Sequence, residues 1–401
     1  MIEYRDALRE ILARAKPLGA ESVSLAEAAG RTLAVDLRAA GPVPPFAKAT
    51  MDGYAVRAAD TRPDKGAGQV SLDVIEDLPA GRPSRKSIGP GQSVRIMTGA
   101  PLPKGADAVV MVEDTEKSGA KVIVHRTVSP GDNIGRAGED LQKGDLVLEK
   151  GRLIGPAEIG MLAAVGRAAV RVARRPAVAV IATGDEIVEP GERLRPGQIR
   201  NANGYTLSAL AAQAGAMAAY LGIARDNPAA LKRAFKKADR ADVLVLSGGV
   251  SVGDYDLVRE ELIAAGVRPA FWRVRIKPGK PTFFGTHGKR LVFGLPGNPT
   301  SAMVTFHLFV RPALDRMLGR AEIGPRRGKA VLGQEIDPRP GRTQFLRAVL
   351  ASDGPEIRVD PFPDQRSGVL QSMVRSRALI VVPPETGRLE KGRTVDILYL
   401  E

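Results

Sequence analysis

The chain contains no cysteine. Disulfides, thiolate zinc sites and cysteine-held iron–sulfur clusters are therefore excluded, and a reducing, cytoplasmic setting is expected. Histidine is nearly as scarce, with residues only at 125, 287 and 307, so a histidine-rich metal centre is not expected. Aromatic residues make up 4% of the chain, too few to supply the stacking platforms of a single-strand nucleic-acid binder. Long apolar runs are missing as well. AVAVIAT and ALIVVPP fall far short of the roughly 20 residues a membrane helix needs. The opening MIEYRDALREILARAK carries acidic residues and no uninterrupted apolar stretch, so it is not expected to be a signal peptide.

What is present points to a multidomain globular protein. At 401 residues the chain exceeds one ordinary core, and two to four domains are expected. Lys and Arg number 59 against 45 Asp and Glu, a formal net charge of +14. That surplus favours anionic partners such as phosphates or oxyanions, although composition bias alone would give the same total. The basic residues form no dense tract, so neither nucleic acid nor a membrane is the expected partner.

Tyr4, Ala7, Leu8, Ile11 and Leu12 recur at helical spacing, and Ser24-x-x-Glu27 matches a capping box that predicts a second helix. These belong to an expected N-terminal helical and linker domain, 1–45 with 146–175. It ends in the rigid PVPPF segment (42–46), whose Phe46 begins the next domain, and it contains a helix from Pro156. Residues 46–145 alternate in short strands such as SVRIM, AVVMV and KVIVH, separated by Gly/Pro turns, and predict an inserted β-rich domain. From 176 to 320, strands (AVAVIAT, YLGI, VLVL, FWRVRI, TFFG, LVFGL) alternate with helices. One of these is expected to be capped by Asn203, and TSAMVTFHLFVRPALDRML closes the series as a single helix. The pattern predicts a three-layer α/β domain with a mostly parallel sheet. Residues 321–401 return to short strands and predict a small C-terminal β-barrel-like domain.

Three polar loops follow strands of the α/β segment: ATGDEI (182–187), SGGVSVGDYD (247–256) and GLPGNPTSA (294–302). Parallel strands would deliver all three to one edge, where open α/β sheets bind ligands. Glycines there let the backbone approach a ligand or take positive φ, and the third loop leads into a helix N-terminus suited to an anion. Neither G-x-x-x-x-G-K-[ST] nor G-x-G-x-x-G occurs, so no P-loop or dinucleotide fold is indicated. IKPGKP (276–281) holds Lys277 and Lys280 on a proline-stiffened turn, and an anion between them would relieve their repulsion. Glu186, Asp226, Asp254 and Asp256 lie on or after strand ends. Such carboxylates either bind a divalent cation such as Mg²⁺ or serve as turn and cap residues. TMDGYA (50–55), IMTGAPLP (96–103) and GRAGEDLQKGD (135–145) read, taken singly, as hairpin connections.

Taken in order, TMDGYAV, IMTGAPLPKGADAVV, GEDLQKGD, ATGDEI, SGGVSVGDYD, IKPGKP and GLPGNPTSA closely resemble the molybdopterin molybdenumtransferases, which include the C-terminal domain of gephyrin. The resemblance spans nearly the whole chain. It implies insertion of molybdate into adenylylated molybdopterin with Mg²⁺-assisted release of AMP. It also implies a homodimer whose active cleft is shared between chains, with contacts to the molybdopterin adenylyltransferase and to molybdoenzyme maturation proteins. Carried onto this sequence, it assigns catalysis to Asp52, Thr98, Asp140, Glu186, Asp226, Asp256 and Lys277, with Glu186, Asp226 and Asp256 as metal ligands. Substrate binding falls to Thr183, Gly184, Ser247, Gly248, Gly249, Ser251, Lys280, Pro296, Gly297, Asn298 and Pro299. The sequence departs from the family pattern at Ala47, Tyr255 and Arg273. A non-catalytic molybdopterin-binding scaffold and a tungsten-inserting paralogue are the alternative readings.

Overall fold

The computed structural model describes residues 1–63, 69–249, 257–353 and 356–400. The chain divides into two compact units. The first comprises 1–35, 150–155 and 169–401, and the second comprises 36–149 and 156–168.

At the centre of the first unit lies a six-stranded sheet. Its strands are β1 (Ala177–Thr183), β2 (Met217–Ala224), β3 (Val243–Ser247), β4 (Arg268–Phe271), β5 (Phe283–His287) and β6 (Arg290–Leu295), in the order β2-β1-β3-β6-β5-β4. Pairings β1–β2, β1–β3 and β3–β6 are parallel, and β6–β5 and β5–β4 are antiparallel. The apolar runs are continuous because both faces are covered. Alternate residues serve different cores: Val178 and Val180 pack with Leu207, Phe293 and Leu308, whereas Ala179 and Ile181 pack with Leu231, Phe235 and Leu262. The result is the three-layer α/β arrangement expected from the alternation.

The C-terminal segment forms a closed small barrel. Strand Thr343–Asp353 pairs with Glu356–Pro361, which pairs with Arg327–Leu332, then Thr394–Tyr399, then Ala378–Val382, and back to Thr343–Asp353. Closure leaves no free edge among these five strands. In the second unit, six strands order as Ala108–Met111, Gly53–Val56, Gln92–Ile96, Val70–Leu78, Lys121–Val124 and Thr115–Ser118. Helix Pro156–Ala164 belongs to the same unit.

Several local expectations are corrected. The capping box at Ser24 is present, but it opens only a 3-10 turn, Leu25–Glu27. Ser24 itself ends a strand paired with Ala169–Ala173, and Gly30, at φ 73°, turns the chain away. FWRVRI is not one strand: β4 stops at Phe271, and Ile276–Lys277 instead pairs in parallel with Thr343–Gln344 of the barrel. The closing helix is broken into Pro299–Thr305, a π-helical turn Phe306–Val310 and Arg311–Met317. Pro312 has no N–H to bond the preceding turn, and the register slips by one residue there.

Phe293 on β6 is fully buried and stacks 5.0 Å from Phe284. Phe293→Ala is expected to cost about 3–5 kcal/mol in the urea-unfolding free energy of this unit. A cost below about 1 kcal/mol would contradict the packing described.

Candidate functional site at the carboxyl edge of the sheet

The parallel pairing brings the carboxyl ends of β2, β1, β3 and β6 to one edge. At an interstrand spacing of about 4.8 Å, these four ends span roughly 14 Å. The loops leaving them are tied together. Thr183 Oγ1 donates to the Ser247 carbonyl at 3.5 Å, and the Gly248 N–H donates to the Leu295 carbonyl at 3.2 Å. Ser247 Oγ donates to the Pro296 carbonyl at 3.3 Å. Gly248 has φ 99°, and an added Cβ would collide with the Thr183 carbonyl oxygen, so only glycine fits this crossing. Gly249 is likewise at positive φ, with Val258 against it.

Asn203 does not cap its helix, as the sequence suggested. It is the first helical residue, after Ala202. Its amide donates instead to Ser247 Oγ at 2.8 Å and to the Gly297 carbonyl at 2.7 Å. A side chain read as a local cap is thus the clamp between two of the ligand loops. Nothing in its spacing reveals this, because the contact depends on the tertiary register.

Acid groups gather at the β1 and β2 ends. The Asp226 N–H donates to Asp185 Oδ1 at 3.1 Å, and the Arg225 guanidinium donates to the Asp185 and Ile187 carbonyls at 2.8 and 3.1 Å. Partial burial pushes the Asp226 carboxyl above its ordinary pKa, and the neighbouring charges of Asp185 and Glu186 add to the shift. Among the described residues, no three His, Asp or Glu side chains are arranged to hold a metal ion. Asp256, expected as the third ligand, lies outside the described residues, as do Ser251, Asp254 and Tyr255. Mg²⁺ is commonly held by one or two carboxylates plus substrate phosphates and waters. A partly buried carboxyl pushed up by burial and by neighbouring carboxylates, as Asp226 is, is a group a cation would relieve. Glu186 and Asp226 therefore fit such an ion as partial ligands.

The lysine loop opens onto a cavity of about 700 Å³. Its walls carry Lys277 and Lys280, Pro296, Asn298 and Ser301 from the third ligand loop, and Arg342, Asp364, Gln365, Arg366 and Ser367 from the C-terminal barrel. Two structural ties make this possible. Ile276–Lys277 is stitched to Thr343–Gln344, and Thr300 Oγ1 donates to the Ser367 carbonyl at 2.6 Å. Lys277, Lys280 and the 296–299 turn, separate in sequence, therefore face one space. The arginines of the barrel were not expected there. In sequence, Arg342 and PDQRSG (363–368) look like ordinary turns between strands.

In the second unit, Asp52 Oδ1 accepts from both the backbone N–H and the hydroxyl of Thr98, each at 2.7 Å. These two bonds hold the Asp52 carboxyl below its ordinary pKa. Two residues assigned separately by the resemblance are thus in direct contact. Asp140 is exposed, and its N–H donates to the Val43 carbonyl at 3.0 Å.

The raised pKa of Asp226 sets the sign of a stability effect. Its charged form is penalised in the folded state, so stability is lost as pH rises through the folded pKa and regained on acidification. Asp226→Asn is expected to raise Tm at pH 7.5 by about 1–3 °C, modest because solvent screens the group. The difference should shrink toward pH 4. A lower Tm for the variant at neutral pH would contradict this account of the acid cluster.

Comparison with known proteins places these features in a family. Residues 2–166 match the "MoeA N-terminal region (domain I and II)", residues 179–316 the "Probable molybdopterin binding domain", and residues 329–400 the "MoeA C-terminal region (domain IV)". A molybdopterin molybdenumtransferase of Bacillus subtilis (strain 168) is 38% identical over 408 residues, covering 100% of this chain and 94% of its own. One from Staphylococcus epidermidis is 34% identical over 401 residues, covering 100% and 96%. The crystal structure of the molybdopterin biosynthesis MoeA protein from Pyrococcus horikoshii OT3 superposes with a TM-score of 0.85 at 33% identity over the whole of both chains. The chain belongs to the molybdopterin molybdenumtransferase (MoeA) family.

Proposed function

We propose that the protein inserts molybdate into adenylylated molybdopterin and releases AMP, and that the oxyanion enters the cavity behind the lysine loop. The observation that carries this reading is the convergence of Lys277, Lys280, Arg342 and Arg366 on one cavity beside the loops of the sheet edge. Molybdate and a pyrophosphate are both anions, and they repel each other unless fixed positive charge lies between or beneath them. Lys277 and Lys280 supply that charge as ammonium donors, and Arg342 supplies a planar guanidinium fork suited to an oxyanion.

The pterin nucleotide lies along the strand-edge loops: Thr183, Gly184, Ser247, Gly248, Gly249 and Ser251, with Pro296, Gly297, Asn298 and Pro299 at the junction with the oxyanion cavity. Glu186 and Asp226, with Asp256, would hold Mg²⁺, which when bound neutralises charge on the pyrophosphate. Their own part is to keep carboxylate oxygens directed at that position. No Ser–His–Asp relay is called for, since the chemistry rests on positioned charge. Asp52, Thr98 and Asp140 join from the second unit of a partner chain in a homodimer, in the cytoplasm. The Asp52–Thr98 contact supports a pre-set carboxylate there. Transfer partners would be the adenylyltransferase that supplies the substrate and the maturation proteins that accept the product. Among the described residues no helix is long and apolar enough to cross a membrane.

AMP release from adenylylated molybdopterin, measured with and without molybdate and a divalent cation, tests the assignment. Release that requires both supports it. Retained ligand with no AMP release indicates a scaffold, and a response to tungstate in preference to molybdate indicates the paralogue. Lys277→Ala is expected to weaken molybdate binding about 10- to 100-fold, the loss of one charge-assisted bond. Unchanged molybdate affinity would remove the cavity from the reading.

A further inference from the structure

The wall of the oxyanion cavity contributed by the barrel is a turn with little secondary structure of its own. Residues 363–367 lie between strand Glu356–Pro361 and helix Gln371–Arg375. Something must hold such a turn if its side chains are to meet a small rigid anion in a fixed geometry.

Arg347 lies behind it, on strand Thr343–Asp353. The residue is fully buried, at 0% exposure. Its Nη2 donates to the carbonyl oxygens of Asp364 at 2.9 Å and of Arg366 at 3.1 Å. Its backbone is locked to the same turn. The Arg347 N–H donates to Gln365 Oε1 at 3.1 Å, and Gln365 Nε2 donates back to the Arg347 carbonyl at 2.9 Å. Arg347 makes no ion pair among the described residues, and its Nε and Nη1 have no hydrogen-bond partner. A buried guanidinium left so incompletely satisfied is costly to the fold. A strand position buried this completely is served better by a leucine or methionine if stability is all that matters.

The carbonyls it grips belong to the two residues that flank Gln365, and all three line the cavity. Asp364 accepts a bidentate pair from Arg366, Nε to Oδ1 and Nη2 to Oδ2, which pulls the Asp364 carboxyl down to about 2. Asp364 thus pairs with the exposed Arg366 guanidinium at the cavity rim. From the opposite side, Thr300 holds the Ser367 carbonyl.

We propose that Arg347 is a positioning residue for the oxyanion cavity: by holding the Asp364 and Arg366 carbonyls it fixes the turn that presents Arg366 and Ser367 opposite Lys277 and Lys280. It touches no substrate. The inference rests on the proposed entry of the oxyanion into this cavity and deepens it. It assigns the barrel a share in the choice of anion rather than a purely structural role.

The test is molybdate binding by calorimetry and steady-state KM for each substrate, on the full chain, for Arg347→Lys, Arg347→Met and Thr300→Val, with Lys277→Ala alongside. Lys keeps a cation and can keep one carbonyl bond, whereas Met keeps only bulk. Thr300→Val loosens the same turn from its other end without touching Arg347. For Arg347→Met the expected result is a rise of about 10-fold or more in molybdate Kd and in KM for molybdate. KM for the pterin nucleotide should stay within about twofold, since that substrate uses the strand-edge loops. Arg347→Lys should recover part of the loss, and Thr300→Val should shift the same constant in the same direction. A folded Arg347→Met or Arg347→Lys protein with wild-type molybdate Kd would overturn the proposal, as would equal losses for both substrates. If Arg347→Met does not fold, the lysine and valine variants decide the matter by the same criteria. Should Lys277→Ala also leave molybdate binding unchanged, it is the cavity assignment that fails. A loss in Lys277→Ala alone rejects only the role of Arg347.

Discussion

Parallel pairing is the constraint on which the site depends. When β1, β2, β3 and β6 run the same way, their carboxyl ends must share an edge, and the connections that leave that edge lie next to one another whatever their sequence. Continuous aliphatic strands make this possible because helices cover both faces of the sheet. The chain then fills the edge with residues that would weaken any other position: glycines at positive φ, a partly buried acid among acids, and an asparagine whose amide is spent on neighbouring loops.

Charge is divided along that edge. Carboxylates gather at the β2 and β1 ends, and ammonium and guanidinium groups gather around the cavity at the β6 end. Collecting like charges costs folding free energy at the acidic end, where neighbouring carboxylates push the Asp226 carboxyl up. The two halves suit different ligand chemistry. The acidic end suits a cation bound to phosphate oxygens, and the basic end suits a compact oxyanion. The barrel contributes half of the basic wall, which gives the C-terminal segment a part in the chemistry proposed for the α/β domain.

Much of this was legible in the sequence, for identifiable reasons. The α/β domain announces itself through AVAVIAT, VLVL and LVF alternating with amphipathic helices, since burial on both faces leaves an unbroken apolar signature. The acid and glycine loops follow directly from strand ends, so Glu186, Asp226 and Gly248 could be picked out by position, and Lys277 by its place in a proline-stiffened turn. Residues whose role depends on tertiary register were not legible. Asn203 looks like a helix cap and is a loop clamp. Arg342, Arg347 and the 363–367 turn sit in a strand–turn pattern whose local chemistry is ordinary, and the pairing of Ile276–Lys277 with Thr343–Gln344, with the Thr300–Ser367 bond, turns them toward the lysines. The π-helical turn at 306–310 is hidden for the same reason. One proline in an otherwise helical run does not reveal which way the register will yield.

The central claim is that a compact oxyanion binds where the lysine loop meets the barrel turn. Tungstate, isosteric with molybdate and a strong anomalous scatterer, tests it most directly by diffraction from soaked crystals. The account predicts an anomalous peak inside this cavity, with the tungstate oxygens within hydrogen-bond distance of Lys277, Lys280 and Arg342, and a much weaker peak in Lys277→Ala crystals. An ordered peak elsewhere on the molecule, with this cavity empty at saturating tungstate, would contradict it.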